Sequence, residues 1–399
     1  MGKLYINQNM LNKKNIDELI KICPFNAIEE MEGKLSINAG CKMCKLCVKK
    51  GPKGVIEFIE ESIEKIDKTK WKGITVYVDH TEGRIHPVTY ELIGKAKELA
   101  AKINHPVYAV FIGYNIKDKA EEILYYGVDK VFVYDEKEFK DFRIEPYAVA
   151  FEDFINKVNP CAVLVGATTV GRSLAPRVAA RFRTGLTADC TVLDMKENTD
   201  LVQIRPAFGG NIMAQIVTPN KRPQFCTVRY KIMNEAKKSE KKSGKIIKCE
   251  ISKEKLKSNI EVLNTVKKEK EEDISEADVI VVAGRGVKTE KDMDMIKELA
   301  DNLGAQIAGT RPLIEMGWVG PKKQIGLSGR TVKPKLIITC GVSGSVQFIA
   351  GMNSSEHIFA INEDPNASIF NVAHYGVVGD IYEVVPQIIK NIKNHKSIV

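Results

Sequence analysis

Short apolar runs alternate with segments of helical periodicity over most of the chain. Gly73-Ile-Thr-Val-Tyr-Val78, Val107-Tyr-Ala-Val-Phe-Ile112, Lys130-Val-Phe-Val-Tyr134 and Cys161-Ala-Val-Leu-Val165 have strand length and little polarity. Between them, 88–103, 117–126 and 146–158 repeat apolar residues at three- and four-residue spacing, the stretch before Gly127 included. The alternation returns with strands at Asp278-Val-Ile-Val-Val-Ala283, Lys335-Leu-Ile-Ile-Thr339 and His357-Ile-Phe-Ala-Ile361 and helices near 291–303 and 383–394. Strands that are apolar throughout are buried on both faces, which is the condition of a parallel sheet covered by helices. Residues 235–273 break the pattern. Glu235-Ala-Lys-Lys-Ser-Glu-Lys-Lys-Ser-Gly244 reads as a solvated loop, and Val266–Asp273 is a mixed charge run. The pattern predicts an α/β chain with two doubly wound, mostly parallel-sheet domains, 67–250 and 274–399, joined by a charged linker at 251–273. Residues 1–66 fit neither and form a small domain of their own.

Composition narrows the class. With 44% hydrophobic and 28% charged residues, the 399-residue chain is neither collagen-like nor disordered. It contains no apolar run of the roughly 18–20 residues that spans a bilayer, and Met1-Gly-Lys-Leu-Tyr-Ile-Asn7 has no secretory pattern. A cytoplasmic protein without a membrane span is expected. The net charge of +9 favours acidic partners. No zinc-finger spacing, aromatic RNA-binding motif or basic heptad helix points to nucleic acid, so small acidic redox proteins are the expected class.

The cysteines carry the first chemistry. Cys161, Cys190, Cys226, Cys249 and Cys340 are scattered and read as small core residues. The other four are Cys23, followed by Pro24, and the run Cys41-Lys-Met-Cys44-Lys-Leu-Cys47. In two-cluster bacterial ferredoxins the unit is C-x2-C-x2-C-x3-C-P, and its fourth cysteine ligates the other cluster. Counting back from Cys23 places the missing cysteines at Lys13, Ile16 and Leu19, and counting forward from Cys47 places the fourth at Gly51. The four losses are the full ligand set of one cluster. The four that remain, Cys23, Cys41, Cys44 and Cys47, are the full set of the other. The split indicates one retained [4Fe–4S] site and one dismantled site. Cys23-Pro-Phe-Asn-Ala-Ile28 and Gly51-Pro-Lys-Gly-Val-Ile56 read as equivalent ends of a pseudo-symmetric repeat. Residues 1–66 therefore resemble a bacterial-type ferredoxin domain of α+β type. A structural zinc site is the competing reading, although its usual pattern is two well-separated C-x2-C pairs.

Three Gly/Ser turns fall at strand ends of the last domain: Gly284-Arg-Gly286, Gly326-Leu-Ser-Gly-Arg330 and Gly341-Val-Ser-Gly-Ser345. Each alone is a common tight turn. Together, at the carboxyl ends of parallel strands, they suit a dinucleotide-type ligand.

Residues 73–399 resemble the α subunit of electron transfer flavoproteins. The resemblance rests on Ala175-Pro-Arg-Val-Ala-Ala-Arg-Phe-Arg-Thr-Gly-Leu-Thr-Ala-Asp189, Arg205-Pro-Ala-Phe-Gly-Gly-Asn211, the three turns just given, and Ala360-Ile-Asn-Glu-Asp-Pro365. It implies an FAD bound mainly by the C-terminal domain and an obligatory β subunit. Carried over position by position, it implies that Arg285 lies beside the isoalloxazine ring and that Ser328, between Gly326 and Gly329, is near N5. Ser343, Gly344 and Ser345 match the phosphate turn, and Gln347 a flavin-contacting glutamine. Asn362, Asp364 and Asp380 match the ribose and adenine end, and Arg311 an arginine of the same pocket. On local grounds, Asp364 before Pro365 also reads as a turn residue, Asp380 as a helix cap and Arg311 as a surface ion pair. Phe348 and Leu327 stand where many members have histidine and glutamine. Phenylalanine cannot donate to flavin O2, so Arg285 is expected to carry more of the stabilisation of reduced, anionic flavin.

No catalytic triad or acid/base carboxylate pair stands out, so the chemistry is expected from cofactors. A cluster moves one electron and a flavin one or two. Joining both on one chain points to a junction between one-electron and two-electron donors, and with the resemblance it implies the electron-transfer subunit of an electron-bifurcating electron transfer flavoprotein. In that reading the β subunit holds a second FAD and the NADH site. One electron passes to ferredoxin and the other, through the FAD carried here, to a flavin dehydrogenase. That dehydrogenase is an acyl-CoA dehydrogenase-like enoyl-CoA reductase or a lactate dehydrogenase. A plain carrier between ferredoxin and a dehydrogenase, and a nucleotide-sensing module with a merely structural cluster, are the alternatives.

Overall fold

The computed structural model describes residues 2–31, 33–60, 66–207, 212–266 and 273–394. Phe208–Asn211 and the charge run after Val266, as far as Glu272, lie outside them. The chain divides into two compact units, Met1–Ile66 and Asp67–Val399.

In the first unit, β1 (Gly2–Ile6) pairs antiparallel with β4 (Ile56–Glu60). Between them come α1 (Lys13–Ile22), the hairpin of β2 (Ile28–Met31) and β3 (Lys34–Ile37), and the short α2 (Leu46–Lys50). Asn12 caps α1 by accepting the Asn15 amide at 2.9 Å. The helix turns Ile16 and Leu19 into a small core with Ile28, Leu35, Cys47, Val55 and Ile56. Two of the positions where the two-cluster pattern has cysteine are thus part of an apolar core.

The second unit contains two parallel sheets. In the first α/β domain the elements are β5 (Ile74–Tyr77), the small hairpin β6 (His80–Thr81) and β7 (Arg84–Ile85), α3 (Val88–Ile103), β8 (Val107–Gly113), α4 (Lys117–Ile123), β9 (Lys130–Asp135), α5 (Ile144–Val158), β10 (Ala162–Gly166), α6 (Thr169–Arg181), β11 (Leu186–Cys190), β12 (Val192–Met195), β13 (Leu201–Ala207), β14 (Ile212–Ile216), β15 (Gln224–Val228) and β16 (Lys245–Lys248). Seven of these strands form a wholly parallel sheet in the order β11-β15-β10-β5-β8-β9-β16. Along β8, Ala109 and Phe111 join one core under α3, while Val110 and Ile112 join another under α5 and α6. That two-sided burial is why the strand is apolar at every position. β12, β13 and β14 form a separate antiparallel sheet. After β16, Leu256 is buried in the core beside α5, so the segment following the sheet is anchored to it.

The second α/β domain comprises β17 (Val279–Ala283), α7 (Met293–Leu303), β18 (Gln306–Gly309), α8 (Arg311–Glu315), β19 (Leu336–Cys340), α9 (Val346–Ile349), β20 (His357–Asn362), β21 (Tyr375–Val378) and α10 (Ile381–Lys393). Its sheet is wholly parallel, in the order β18-β17-β19-β20-β21. The strand order reverses between β17 and β19, which opens a crevice at their carboxyl ends. No helix among the described residues is long and apolar enough to cross a membrane.

One buried ionic knot holds the first α/β domain. Asp200 accepts Lys68 Nζ and Arg222 Nη2, both at 2.7 Å, and Arg222 also donates to the Thr199, Thr218 and Lys221 carbonyls. The Arg222 side chain is fully buried and that of Asp200 is 7% exposed. Burial pushes the Asp200 carboxyl up, but the hydrogen bonds and charges of Lys68 and Arg222 outweigh it and leave the carboxyl below its ordinary value. Its contribution to stability is therefore present at neutral pH and is lost as pH falls through and below the ordinary carboxylate range, near about 3.9. Asp200→Ala strands a buried guanidinium. Because the three carbonyls still serve it, the expected loss is about 3 kcal/mol, the low end for a broken buried pair. That corresponds to a melting point lower by roughly 6–12 °C at pH 7, with the gap to wild type narrowing in acid. Thermal unfolding of both proteins across that range checks it.

Candidate functional site

The crevice between β17 and β19 is a cleft of about 620 Å³. Two backbone turns build its floor. Gly284 and Gly286 flank Arg285 after β17, and the Gly284 and Gly286 amides donate to the Cys340 and Gly341 carbonyls at 2.9 and 3.0 Å. A β-carbon on Gly284 would lie 2.3 Å from the Gly341 carbonyl oxygen, so the two turns pack backbone to backbone. Beyond Gly341 (φ +64°), Gly344 adopts φ +81° and a β-carbon there would lie 2.2 Å from the Ile369 nitrogen. This bend leaves the amides of Ser343, Gly344 and Ser345 without a protein acceptor among the described residues. Such a nest of free amides suits phosphate oxygens.

A second wall is the loop after Gln324. It is closed by Arg330 N donating to the Gln324 carbonyl at 2.7 Å and by Leu327 N donating to the Gln347 carbonyl at 2.9 Å. Ser328 sits within it, its hydroxyl oxygen accepting from Gln324 Nε2 at 2.8 Å. Phe348 shares a buried apolar cluster with Ile325, Val342 and Met352 and also lines the cleft. At the far end, Asn362 donates to the Val342 carbonyl at 2.8 Å and ties β20 to the nest. On the rim, the Tyr382 hydroxyl donates to Asp292 at 2.8 Å and accepts the Lys288 amide at 2.9 Å. The bond from Tyr382 holds the Asp292 carboxyl below its usual range. Cys340, beneath the floor, has its thiol pushed up to about 12 by burial and is no nucleophile.

Of the residues expected here, Arg285, Arg311, Gly326, Ser328, Ser343, Ser345, Gln347, Asn362 and Asp380 line the cleft. Gly329, Gly344 and Asp364 do not. Gly329 packs under the Gln324 carbonyl, Gly344 shapes the nest from behind, and Asp364 accepts the Asn366 amide in a local turn. Asp380 caps α10 by accepting Tyr382 N at 2.9 Å, and Arg311 pairs with Glu315 at 2.7 Å on an exposed surface. Arg285 is exposed and has no carboxylate partner among the described residues. Lys288, Thr310, Gln324 and Glu363 also line the cleft and were not expected from sequence. Lysine and glutamine outside a glycine turn give no local signal, and only the strand order brings them to this edge. Arg285, Lys288 and Arg311 share the lining with Glu363 and Asp380, so the cleft has a net positive balance.

In the first unit, Cys47 is buried, Cys23 and Cys41 are half-buried, and Cys44 is exposed. Among the described residues no group of three or more His, Cys, Asp or Glu side chains is drawn together tightly enough to hold a metal. The backbone is nonetheless shaped around the sulfurs. Ala27 N donates to Cys23 Sγ at 3.3 Å and Met43 N to Cys41 Sγ at 3.4 Å. Met43 and Lys45 take left-handed φ of 52° and 60°, which coils the Cys41–Cys47 loop back on itself. Amides aimed at thiolate sulfur are what a cluster-holding loop supplies.

A doubly wound domain with its cleft at the switch point and a free-amide nest on the cleft floor defines a nucleotide-cofactor protein. Residues 74–254 match the family described as electron transfer flavoprotein domain, and residues 273–353 the electron transfer flavoprotein FAD-binding domain. The chain belongs to the electron transfer flavoprotein α-subunit family. It is 61% identical over 397 residues to the lactate dehydrogenase (NAD(+),ferredoxin) subunit LctC of Acetobacterium woodii, covering 100% of this chain and 95% of that one. It is 42% identical over 327 residues to an electron transfer flavoprotein subunit alpha of Thermoanaerobacterium thermosaccharolyticum, covering 82% and 99%. It is also 36% identical over 367 residues to the acryloyl-CoA reductase electron transfer subunit beta of Anaerotignum propionicum, covering 83% and 98%.

Proposed function

We propose that this chain is the FAD- and [4Fe–4S]-carrying α subunit of an electron-bifurcating complex that links NAD(H), ferredoxin and a flavin-containing lactate dehydrogenase. The observation that carries the choice of partner is coverage. Similarity to the lactate dehydrogenase subunit runs over the whole chain, the four-cysteine unit included, whereas the α-subunit relative from Thermoanaerobacterium covers 82% of it. A β subunit with a second FAD would take hydride from NADH.

In the cleft, the Ser343–Ser345 amides would hold the FAD pyrophosphate, with Asn362 and Asp380 toward the ribose and adenine end. Gln347, Ser328 and Arg285 would lie along the flavin. The bound flavin supplies one- and two-electron redox chemistry. The chain's own part is orientation and charge: Gln324 holds the Ser328 oxygen from one side, which leaves the hydroxyl proton free to donate into the cleft. Arg285, with no carboxylate partner among the described residues, favours a negatively charged ring. Phe348 is apolar and makes no such contribution. Cys23, Cys41, Cys44 and Cys47 would ligate the cluster.

The test is iron, zinc and extractable flavin in the anaerobically purified αβ pair, followed by assembly with the dehydrogenase. Four irons and two FAD, with NADH reducing ferredoxin only when pyruvate is present, is the expected result. One FAD, or ferredoxin reduction independent of an oxidised acceptor, reduces the protein to a plain carrier, and zinc ends the cluster assignment. The similarity to the acryloyl-CoA reductase subunit supports a second reading, an enoyl-CoA reductase partner. In that case an enoyl-CoA, and not pyruvate, would be the required acceptor.

A further inference from the structure

We infer that the lysine-rich face around the Cys41–Cys47 loop is the docking surface for an acidic one-electron carrier protein, which meets the cluster at its Cys44 edge. The inference rests on the cluster assignment above and goes on to name the face.

Charge in the first unit is segregated. From Lys34 to Ile56 there are six lysines and no aspartate or glutamate, while Asp17, Glu18, Glu29, Glu30 and Glu57 lie outside that stretch. Lys42, Lys49, Lys50 and Lys53 are exposed, and none has an ion-pair partner among the described residues. Lys45 differs: its ammonium lies 3.4 Å from the centre of the Phe58 ring. Lys49 and Lys50 fall in the last turn of α2, where a helix end alone favours cations. Lys42 and Lys53 lie outside the helix, so that cause does not cover them. Unpaired like charges on so small a body repel one another. The arrangement is relieved when an acidic surface covers it.

The segment also exposes apolar side chains. Met43 is 40% exposed and Phe25 46%. Asn38 N donates to the Ala27 carbonyl at 2.9 Å, and Cys41 N to the Asn38 carbonyl at 3.2 Å, which brings the turn after Cys23 beside the start of the loop. Cys44, the exposed one of the four cysteines, stands next to Met43. A few exposed apolar residues in a lysine-rich segment fit a transient electron-transfer contact and are too few for a permanent interface. Exchange there moves one electron: the carrier is oxidised as the cluster is reduced, or the reverse, with no bond made or broken.

The experiment uses the full chain with its β subunit and an oxidised bacterial ferredoxin carrying two [4Fe–4S] clusters as the probe. Affinity is measured at low and moderate salt for wild type and for Lys42→Glu/Lys49→Glu/Lys53→Glu. Lys117→Glu/Lys119→Glu/Lys137→Glu, at exposed residues of the second unit, makes the same charge change elsewhere. Electrostatic steering of this kind predicts a loss of about tenfold or more for the first triple variant at low salt. It predicts a comparable loss for wild type on raising salt, and little change for the second variant. An unaltered cluster absorption spectrum shows that the first variant is folded. If iron is present but both triple variants bind alike, or wild-type binding ignores salt, the face is wrong while the cluster assignment stands. Zinc in place of iron overturns both.

Discussion

Gly344→Val is expected to empty the C-terminal domain of flavin. Gly344 is not a lining residue, yet its turn sets the position of Ser343 and Ser345, which line the cleft on either side of it. Its φ of +81° is a conformation that costs an L residue about 1–2 kcal/mol. The larger obstacle is contact: a β-carbon would lie 2.2 Å from the Ile369 nitrogen and 2.5 Å from its Cα. Both are backbone atoms, and Ile369 N is itself bonded to the Ser343 carbonyl at 3.1 Å. The turn cannot rotate a side chain away. It must lift off the 368–371 segment, carrying the Ser343–Ser345 amides with it. Losing two or three charge-assisted bonds to a pyrophosphate, each worth about 1.5–3 kcal/mol, lowers affinity by at least a hundredfold. The flavin-to-protein absorbance ratio after gel filtration is expected to fall below about a tenth of wild type. Gly320→Ala, where an added β-carbon meets nothing within 4 Å, is expected to keep full flavin. Full flavin in Gly344→Val would mean that the nest is not the phosphate site.

How much of this was legible in the sequence depends on how local the cause is. The helix expected at 88–103 is Val88–Ile103 because its apolar spacing and its burial are the same fact seen twice. The glycines at strand ends marked the cleft because close backbone approach leaves no other residue type. The antiparallel sheet of β12, β13 and β14 leaves a weak signal in the sequence. Exposed Ile212 and Met213 blur the alternation that would signal a half-buried strand. β16 was hidden in a lysine-rich stretch, since an edge strand with two half-buried isoleucines needs only Ile246 and Ile247. The lining role of Gln324 and Glu363, and the shaping role of Gly329 and Gly344, depend on contacts between distant turns that no window of sequence contains. In the first unit the spacing of the cysteines was legible. The burial of Ile16 and Leu19 was not, because the residues that cover them, Ile28, Leu35, Val55 and Ile56, lie on distant strands and turns.

That burial means that cysteines put back at the positions of the two-cluster pattern would not rebuild a second site. The variant Lys13→Cys/Ile16→Cys/Leu19→Cys/Gly51→Cys restores the full two-cluster pattern in sequence. It is expected to bind no second cluster and to lose much of the first. Ile16 is 5% exposed and Leu19 fully buried, and both share a core with Cys47, Val55 and Ile56. Shortening each costs on the order of 2 kcal/mol or more in a core of only seven buried residues. Gly51 is the harder constraint. A β-carbon there would lie 2.3 Å from the Cys47 carbonyl oxygen and 2.7 Å from Leu19 Cδ2. Trimming Leu19 relieves the second contact but leaves the first, and the first is with the backbone of a proposed ligand. Any side chain forced in at Gly51 therefore moves Cys47. Iron per chain is expected at or below the value of about four proposed for the wild type, with a lower melting point for the first unit. Iron analysis, electron paramagnetic resonance of the reduced protein and thermal unfolding check this together. Eight irons would mean that the unit relaxes around Gly51 more freely than its backbone contact allows. The expected result has a consequence for the proposed function: with Leu19 and Gly51 packed against each other, the unit has room for one cluster at most, and the proposed relay through it is a single stop.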